Sequence, residues 1–221
     1  FGNQYAKTGE LEKSINLYLK LLKEFKFNNL QLSTAYNQIG IYHVYMGHYD
    51  STETYFLKAL KMREKLRDSI GVGASLNNLG NVLMSKGDYD KATKYFFKAL
   101  KIREQINDTN GIASTTNNLG IIYYKQQKFN DAIKYYNIAL AINREQHIAS
   151  KEFLILLNLG NIYDEMMKLD SSSYYYLKAI AKAEEIGDAR FKSMAYGGMG
   201  VTQEKLKNYN LAKSYFIKDL K

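Results

Sequence analysis

The sequence predicts an all-α fold, an α-solenoid of antiparallel helix pairs, because one pattern recurs every forty residues. Glycines stand at this constant interval, at Gly40, Gly80, Gly120, Gly160 and Gly200. An asparagine-rich box precedes several of them, as in the Asn-Asn-Leu-Gly sequences that end at Gly80 and Gly120. A fixed period of this length is the sequence signature of stacked repeats. The 221 residues also include no proline, which favours helix nearly throughout because proline interrupts helices.

The period divides the chain into four full repeats flanked by two partial ones. We place the full repeats at residues 30–69, 70–109, 110–149 and 150–189. Residues 1–29 and 190–221 carry the partial repeats, so residues 1–221 are predicted to form a single array. Because both ends interrupt a repeat, we expect the chain to be part of a longer protein.

Each repeat is predicted to contain two helices joined by a short turn. In the repeat at residues 70–109, leucine and valine at helical spacing indicate a first helix near residues 73–85. Gly87 follows, where a positive φ can end that helix, and Asp88 can cap the next one. The second helix is expected near residues 89–106, where it buries alanines and an aromatic residue.

The composition excludes several classes of function. No cysteine is present, so the chain has no disulfide framework, no thiolate nucleophile and no zinc knuckle. The formal net charge is +9, but the lysines are spread over polar helix positions, which favours a solvated coat over a nucleic-acid surface. No apolar run approaches the ~20 residues of a membrane span, and no signal peptide is visible. We expect no membrane contact by this chain. The cytoplasm is favoured as its compartment, and the periplasm stays open.

The offsets within each repeat resemble those of the tetratricopeptide-repeat family. Its Leu-Gly pair with a tyrosine three residues on is matched by Leu119, Gly120 and Tyr123, and its later Ala-x3-Phe by Ala92 and Phe96. The resemblance covers essentially the whole chain, and it implies a right-handed superhelix with a concave face lined by the first helices. The long spacing and the asparagine box are similar to the repeats of kinesin light chains, Pins-type adaptors and bacterial signalling proteins.

The resemblance places a row of amide side chains on the concave face. Ten residues at inward positions of the first helices are predicted to bind a peptide: Asn37, Asn77, Asn81, Met84, Asn117, Asn118, Tyr124, Asn158, Asn161 and Asp164. An asparagine offers both a donor and an acceptor, so such a row can bond the backbone of an extended peptide without reading its sequence. The alternative, open for the column that holds Asn78, Asn118 and Asn158, is a structural hydrogen bond to a neighbouring helix or loop.

The other candidate residues favour packing or ligand selectivity over catalysis. A tyrosine column in the second helices is expected to pack half-buried, outside the groove. Its members are Tyr55, Tyr95, Tyr135, Tyr175 and Tyr215. His43 takes the tyrosine position of its own repeat, so we expect it in the core. Asp164 and Glu165 diverge by about 100° around a helix and indicate an acidic part of the groove wall that selects a basic ligand residue. No metal or cofactor is predicted.

We therefore predict a non-catalytic scaffold that binds a protein or peptide, within a larger signalling or regulatory protein of bacterial type. Two other classes stay open. A nucleic-acid-binding solenoid would use the positive charge, and a structural spacer or dimerisation arm would self-associate through the solenoid ends. An enzyme is the least favoured class, because neither a phosphate-binding glycine loop nor a serine–histidine–acid set stands out.

Overall fold

The structure, a computed structural model, describes residues 8–219, and in that range it contains helices and short connections but no strand. The eleven helices of this range are α1 (Thr8–Glu24), α2 (Asn29–Tyr45), α3 (Tyr49–Lys65), α4 (Ser69–Ser85), α5 (Tyr89–Gln105), α6 (Thr109–Lys125), α7 (Phe129–Glu145), α8 (Ala149–Glu165), α9 (Leu169–Ile186), α10 (Ala189–Lys205) and α11 (Tyr209–Asp219). The all-α prediction is confirmed. The outermost parts of the two predicted partial repeats, residues 1–7 and 220–221, lie outside the described residues.

The helices fall into two compact units, unit 1 up to Thr115 and unit 2 from Thr116, so that α6 contributes to both. In unit 1, α2 packs against α3 and α4 packs against α5, while α3 contacts α4. In unit 2, α8 packs against α9 and α10 packs against α11, and successive pairs meet through α7 with α8 and through α9 with α10. The predicted helix pairs are therefore present within each unit.

The turns inside the helix pairs share one backbone conformation. Gly47 and Gly87 have φ angles of 73° and 80°, and the equivalent residues Gln127, Met167 and Lys207 have φ angles of 59°, 56° and 63°. The positive φ predicted for Gly87 is confirmed. A residue with a Cβ atom adopts this conformation at a cost of about 1–2 kcal/mol. Glycine is thus favoured at this turn, and the later pairs form the same turn without it.

The first helix of the repeat at residues 70–109 begins earlier than predicted. α4 starts at Ser69 because the Asp68 side chain accepts a hydrogen bond from the Gly71 N–H at 2.9 Å and so caps the helix. The prediction missed the start of α4 because Gly71 and Gly73 lower helix propensity and interrupt the apolar spacing. Asp88 caps α5 as predicted, through a hydrogen bond from a backbone N–H of its first turn.

Each unit has its own core, in which an aromatic side chain of a second helix lies against the repeat glycine of the first. Phe96 is fully buried against Gly80, and Tyr136, only 1% exposed, lies against Gly120. A Cβ atom added at Gly120 would stand 2.8 Å from the Tyr136 ring, which is closer than the optimal carbon–carbon separation of about 3.5–4.0 Å. Glycine is therefore required by the close approach of the paired helices, as the sequence pattern indicated.

Candidate functional site

The ten predicted ligand-binding residues lie on the first helices of the pairs, whose solvent-accessible side we call the first-helix face. Unit 1 carries four of them, on α2 and α4: Asn37, Asn77, Asn81 and Met84. Unit 2 carries the other six, on α6 and α8: Asn117, Asn118, Tyr124, Asn158, Asn161 and Asp164. Nine of the ten are half-buried, and Asn77 is the exception, with an exposed fraction of 6%.

Asn77 belongs to a buried hydrogen-bond network between helices. Its Oδ1 atom accepts from Arg103 Nη1 and from Thr115 Oγ1, both at 3.4 Å. Arg103 also donates to the Gly111 carbonyl at 2.8 Å and to Thr115 Oγ1 at 2.5 Å. Burial lowers the pKa of the Arg103 guanidinium, and the Asp108 carboxylate, 3.6 Å from its Nε, acts in the opposite direction. Because Asn77 holds buried donors, we do not include it among the residues proposed to bind a ligand.

This arginine network is a structural feature that the sequence reasoning missed. Arg63 repeats it, donating to the Gly71 carbonyl at 3.0 Å and to Ser75 Oγ at 2.7 Å. The signal was present as the spacing Arg-x4-Asp-x2-Gly-x3-Ser or Thr, which occurs at residues 63–75 and again at residues 103–115. The equivalent stretch of unit 2 begins with Asn143 and lacks the pattern, and Asn143 donates to the Ala139 carbonyl of its own helix.

An open cavity of about 300 Å³, which we call the α2–α4 cavity, lies on the first-helix face of unit 1. Its lining residues come from α2, α3 and α4: Ile41, Val44, Tyr45, Tyr49, Phe56, Asn78, Asn81, Val82 and Ser85. Phe56 and Val82 are buried, whereas Val44, Tyr45 and Tyr49 are each more than a third exposed. The cavity therefore combines an apolar lining with two amide side chains, of which Asn81 was predicted from the sequence.

The two first helices that border this cavity are almost uncharged. α2 and α4 have 17 residues each, and neither contains aspartate, glutamate, lysine or arginine. Burial, and secondarily the neighbouring His48, lowers the pKa of His43 below its ordinary value of about 6.5, so its imidazole is neutral at pH 7. The lysines and arginines stand instead on the second helices α3 and α5. The first-helix face of unit 1 thus offers amides and apolar groups without charge.

In unit 2, amide side chains are bonded to aromatic residues of the second helices. The Tyr176 hydroxyl donates to Asn161 Oδ1 at 2.5 Å, and the Tyr136 hydroxyl is hydrogen-bonded to the Asn158 side chain. Burial raises the pKa of both phenols, so both remain protonated. The contact of Asn158 is of the kind that the structural alternative predicts for its column.

The acidic pair of unit 2 has partners within the unit. Asp164 forms an ion pair with Lys205 and accepts a hydrogen bond from Thr202 Oγ1 at 3.1 Å. Glu165 accepts a hydrogen bond from the Tyr124 hydroxyl. Burial, together with Glu165, raises the pKa of Tyr124 to about 12, so this phenol stays protonated and remains a donor. A basic ligand residue would have to displace Lys205 in order to reach Asp164.

The tyrosine column of the second helices is packed against the first helices. All five of its members are half-buried, as expected from the sequence. Tyr135 stacks on Tyr123 with ring centroids 5.4 Å apart, and Tyr55 stacks on His43 at 5.5 Å. His43 is half-buried in this contact, so it packs where its repeat would otherwise place a tyrosine. These rings serve the packing of the helix pairs.

Among residues 8–219, no three histidine, cysteine, aspartate or glutamate side chains are grouped so that they could hold a metal ion. Nor does any helix in that range combine the length and the apolar character that a bilayer crossing requires.

Comparison with known proteins identifies the repeats. Sequence models of the tetratricopeptide repeat match residues 32–67 and residues 71–145. These matches cover about half of the chain and include three glycines of the forty-residue series, Gly40, Gly80 and Gly120. No curated protein sequence matches the chain.

Solved structures share the fold at low sequence identity. BtubC (BKLC) from P. vanneervenii has a TM-score of 0.83 at 18% identity, over 96% of this chain and 88% of that chain. The signal transduction ATPase PH0952 from Pyrococcus horikoshii, a protein with a tetratricopeptide repeat sensor, has a TM-score of 0.76 at 25% identity, over 96% of this chain and 33% of that chain. The repeats of a putative kinesin light chain from Podosopora anserina have a TM-score of 0.73 at 11% identity, over 88% of this chain and 95% of that chain. With the glycine spacing and the matched repeats, these shared folds lead to one conclusion: the chain belongs to the tetratricopeptide-repeat family and has its α-solenoid fold.

Proposed function

We propose that the chain is a non-catalytic scaffold that binds an extended segment of a partner protein, or a peptide, on its first-helix face. The observation that carries this proposal is the set of half-buried amide side chains on that face, including Asn37 and Asn81 in unit 1 and Asn117 and Asn118 in unit 2. Each amide can accept from a peptide N–H and donate to a peptide C=O. Within each unit, these amides therefore bind the backbone of an extended segment irrespective of most of its side chains.

A sensory or adaptor role within a larger bacterial signalling or regulatory protein fits this architecture. One protein of the same fold carries a tetratricopeptide repeat sensor in a signal transduction ATPase, and the present chain covers 33% of its length. In a protein built in this way, the repeats bind the segment and a separate domain produces the output. The cytoplasm is still the favoured compartment, and the periplasm stays open.

The distribution of charge weighs against a nucleic acid as the ligand. Phosphate contacts require cations gathered along one surface, but α2 and α4 contribute none to the first-helix face of unit 1. Lysines of the second helices lie over tyrosine rings, as Lys58 does over Tyr55 at 4.9 Å from its centroid. A spacer or dimerisation arm that self-associates through its ends is the remaining alternative.

The test begins with peptides selected from a displayed random library by their binding to the immobilised chain. The double variant Asn81→Ala with Asn117→Ala then removes one amide from each unit. Because a neutral hydrogen bond contributes about 0.5–1.5 kcal/mol, the double variant should bind the selected peptides roughly ten- to a hundredfold more weakly. Fluorescence anisotropy gives the dissociation constant, and circular dichroism gives the melting temperature. The melting temperature should change little, because both side chains are partly exposed.

Two single variants serve as controls. Asn130 is exposed in the first turn of α7, so Asn130→Ala should alter neither affinity nor melting temperature. Asn77 is buried and bonded to Arg103, so Asn77→Ala should lower the melting temperature. Unchanged affinity in the double variant would exclude the amides as the binding site. An absence of selected peptides, combined with concentration-dependent self-association, would favour the spacer.

A further inference from the structure

We propose that the α2–α4 cavity of unit 1 accepts one large apolar side chain of the bound segment, and that the residues beside it in the ligand are uncharged. The inference rests on the function proposed above and adds the chemistry by which unit 1 selects its ligand. The occupant is a segment of a partner protein with an aromatic or branched aliphatic residue at the position that enters the cavity.

The cavity has the size and the lining of a site for a single side chain. Its volume of about 300 Å³ stands at the lower end of the range for small-molecule sites, roughly 300–1,000 Å³. Phe56 and Val82 are each 3% exposed and close its base, while Tyr45 and Tyr49 are 48% and 37% exposed. When an apolar group of a ligand covers apolar surface that was in contact with water, the free energy of binding becomes more favourable. Asn81 lines the same cavity, so an amide stands where the backbone of the entering residue would pass.

The charges around the cavity oppose a charged occupant. Neither α2 nor α4 contributes an acidic residue, a lysine or an arginine to the lining. Lys86, directly after α4, is already paired with Asp50 at 2.8 Å and with Glu53 at 2.9 Å. A carboxylate or an ammonium group moved into this lining would lose hydration without gaining a counter-ion. Because the lining offers no counter-ion, an uncharged segment is favoured.

In unit 2 a larger side chain stands at the position that Val44 occupies in unit 1. Val44 and Tyr124 occupy equivalent positions, eighty residues apart. The ring centroid of Tyr124 lies 6.3 Å from that of Phe129, which is the equivalent of Tyr49. Valine supplies no ring at this position, and it lines the α2–α4 cavity of unit 1. The replacement Val44→Tyr therefore offers a way to close it with a side chain that the fold already accommodates.

The test uses the N-acetyl amides of phenylalanine, leucine, lysine and glutamate, each of which presents one side chain on a neutral backbone unit. Each probe is titrated into the isotope-labelled full chain, and the methyl signals of Ile41 and Val82 are followed by NMR. The phenylalanine and leucine amides should shift both signals saturably and bind at least about tenfold more tightly than the two charged amides. Val44→Tyr should abolish the shifts.

The matched control is Val201→Tyr, because Val201 on α10 of unit 2 is 41% exposed and Val44 is 37% exposed. This control should leave the shifts unchanged. Absence of a saturable shift with the phenylalanine amide, or equal binding of charged and apolar amides, would overturn the proposal without any variant. Library-selected peptides that bind Val44→Tyr as tightly as the parent would also overturn it, while the proposed function would stand. If the NMR signals of Ile41 and Val82 shift with protein concentration in the absence of any probe, the cavity binds a second copy of the chain, and the proposal is likewise overturned.

Discussion

The contact between Gly120 and Tyr136 allows the packing of a helix pair to be tested with a single methyl group. In Gly120→Ala, the added Cβ would lie 2.8 Å from two ring atoms of Tyr136 and 2.9 Å from a third. Because carbon atoms pack best at about 3.5–4.0 Å, the ring would have to move by roughly 0.7 Å or more. Tyr136 is 1% exposed and its hydroxyl is bonded to Asn158, so the ring has little freedom to move. Overpacking of this kind costs about 1–3 kcal/mol.

Alanine also has a higher helix propensity than glycine, by about 1 kcal/mol, so a control must remove that contribution. Gly9 lies in α1, and a Cβ added there would meet no atom within 4 Å. The difference between Gly120→Ala and Gly9→Ala in the free energy of unfolding should therefore equal the overpacking cost, about 1–3 kcal/mol. Urea unfolding followed by circular dichroism measures it. Equal stability of the two variants would refute the interpretation that the repeat glycine is required by the approach of the ring.

Three further predictions follow from the ion pairs and the net charge. Arg103→Leu removes the donors to Gly111 and Thr115, so urea unfolding should show a loss of about 2–4 kcal/mol, whereas Arg190→Leu, at an exposed guanidinium, should change stability far less. Hydrogen bonds from Arg190 lower the pKa of Asp188 to about 2, so the contribution of this pair to stability is present above the ordinary value of about 3.9 and is lost as pH falls through about 2. The carboxyl NMR signal of Asp188 should accordingly not titrate near pH 3.9. With a net charge of +9, any binding of the chain to a mixed-sequence oligonucleotide should be insensitive to sequence and should weaken steeply with added salt in a filter-binding assay.

The helix pairs could be predicted from the sequence because their principal contact is local. Gly80 and Phe96 are sixteen residues apart, so the period that reveals one also positions the other. The start of α4 could not be predicted from the same pattern, since it is determined by the Asp68 side chain, which lies outside the apolar spacing. The period places a turn at Met167 as in the other repeats, but the positive φ of this residue has no signal in the sequence, because no glycine stands there.

The candidate site was only partly predictable, because equivalent positions have different neighbours. Asn77 and Asn117 stand three residues before their glycines, yet Asn77 is buried and Asn117 is half-buried. The difference in unit 1 is made by Arg103, which reaches Asn77 from 26 residues further along the chain. The α2–α4 cavity left no sign in the apolar pattern either, although Val44, which lines it, stands where unit 2 has the larger Tyr124.

The departures from the repeat, more than the repeat itself, distinguish one part of the first-helix face from another. The glycine–aromatic contact recurs in both units, so it stabilises the helix pairs without distinguishing one unit from the other. Position by position, the column that holds Val44 changes its chemistry: it is methionine at Met84, a tyrosine bonded to Glu165 at Tyr124, and a carboxylate paired with Lys205 at Asp164. Within unit 1 this column borders an apolar cavity, and within unit 2 it contributes to an ion pair. Under the proposed function, in which amides bind the ligand backbone, this column is a place where each unit selects ligand side chains by its own chemistry.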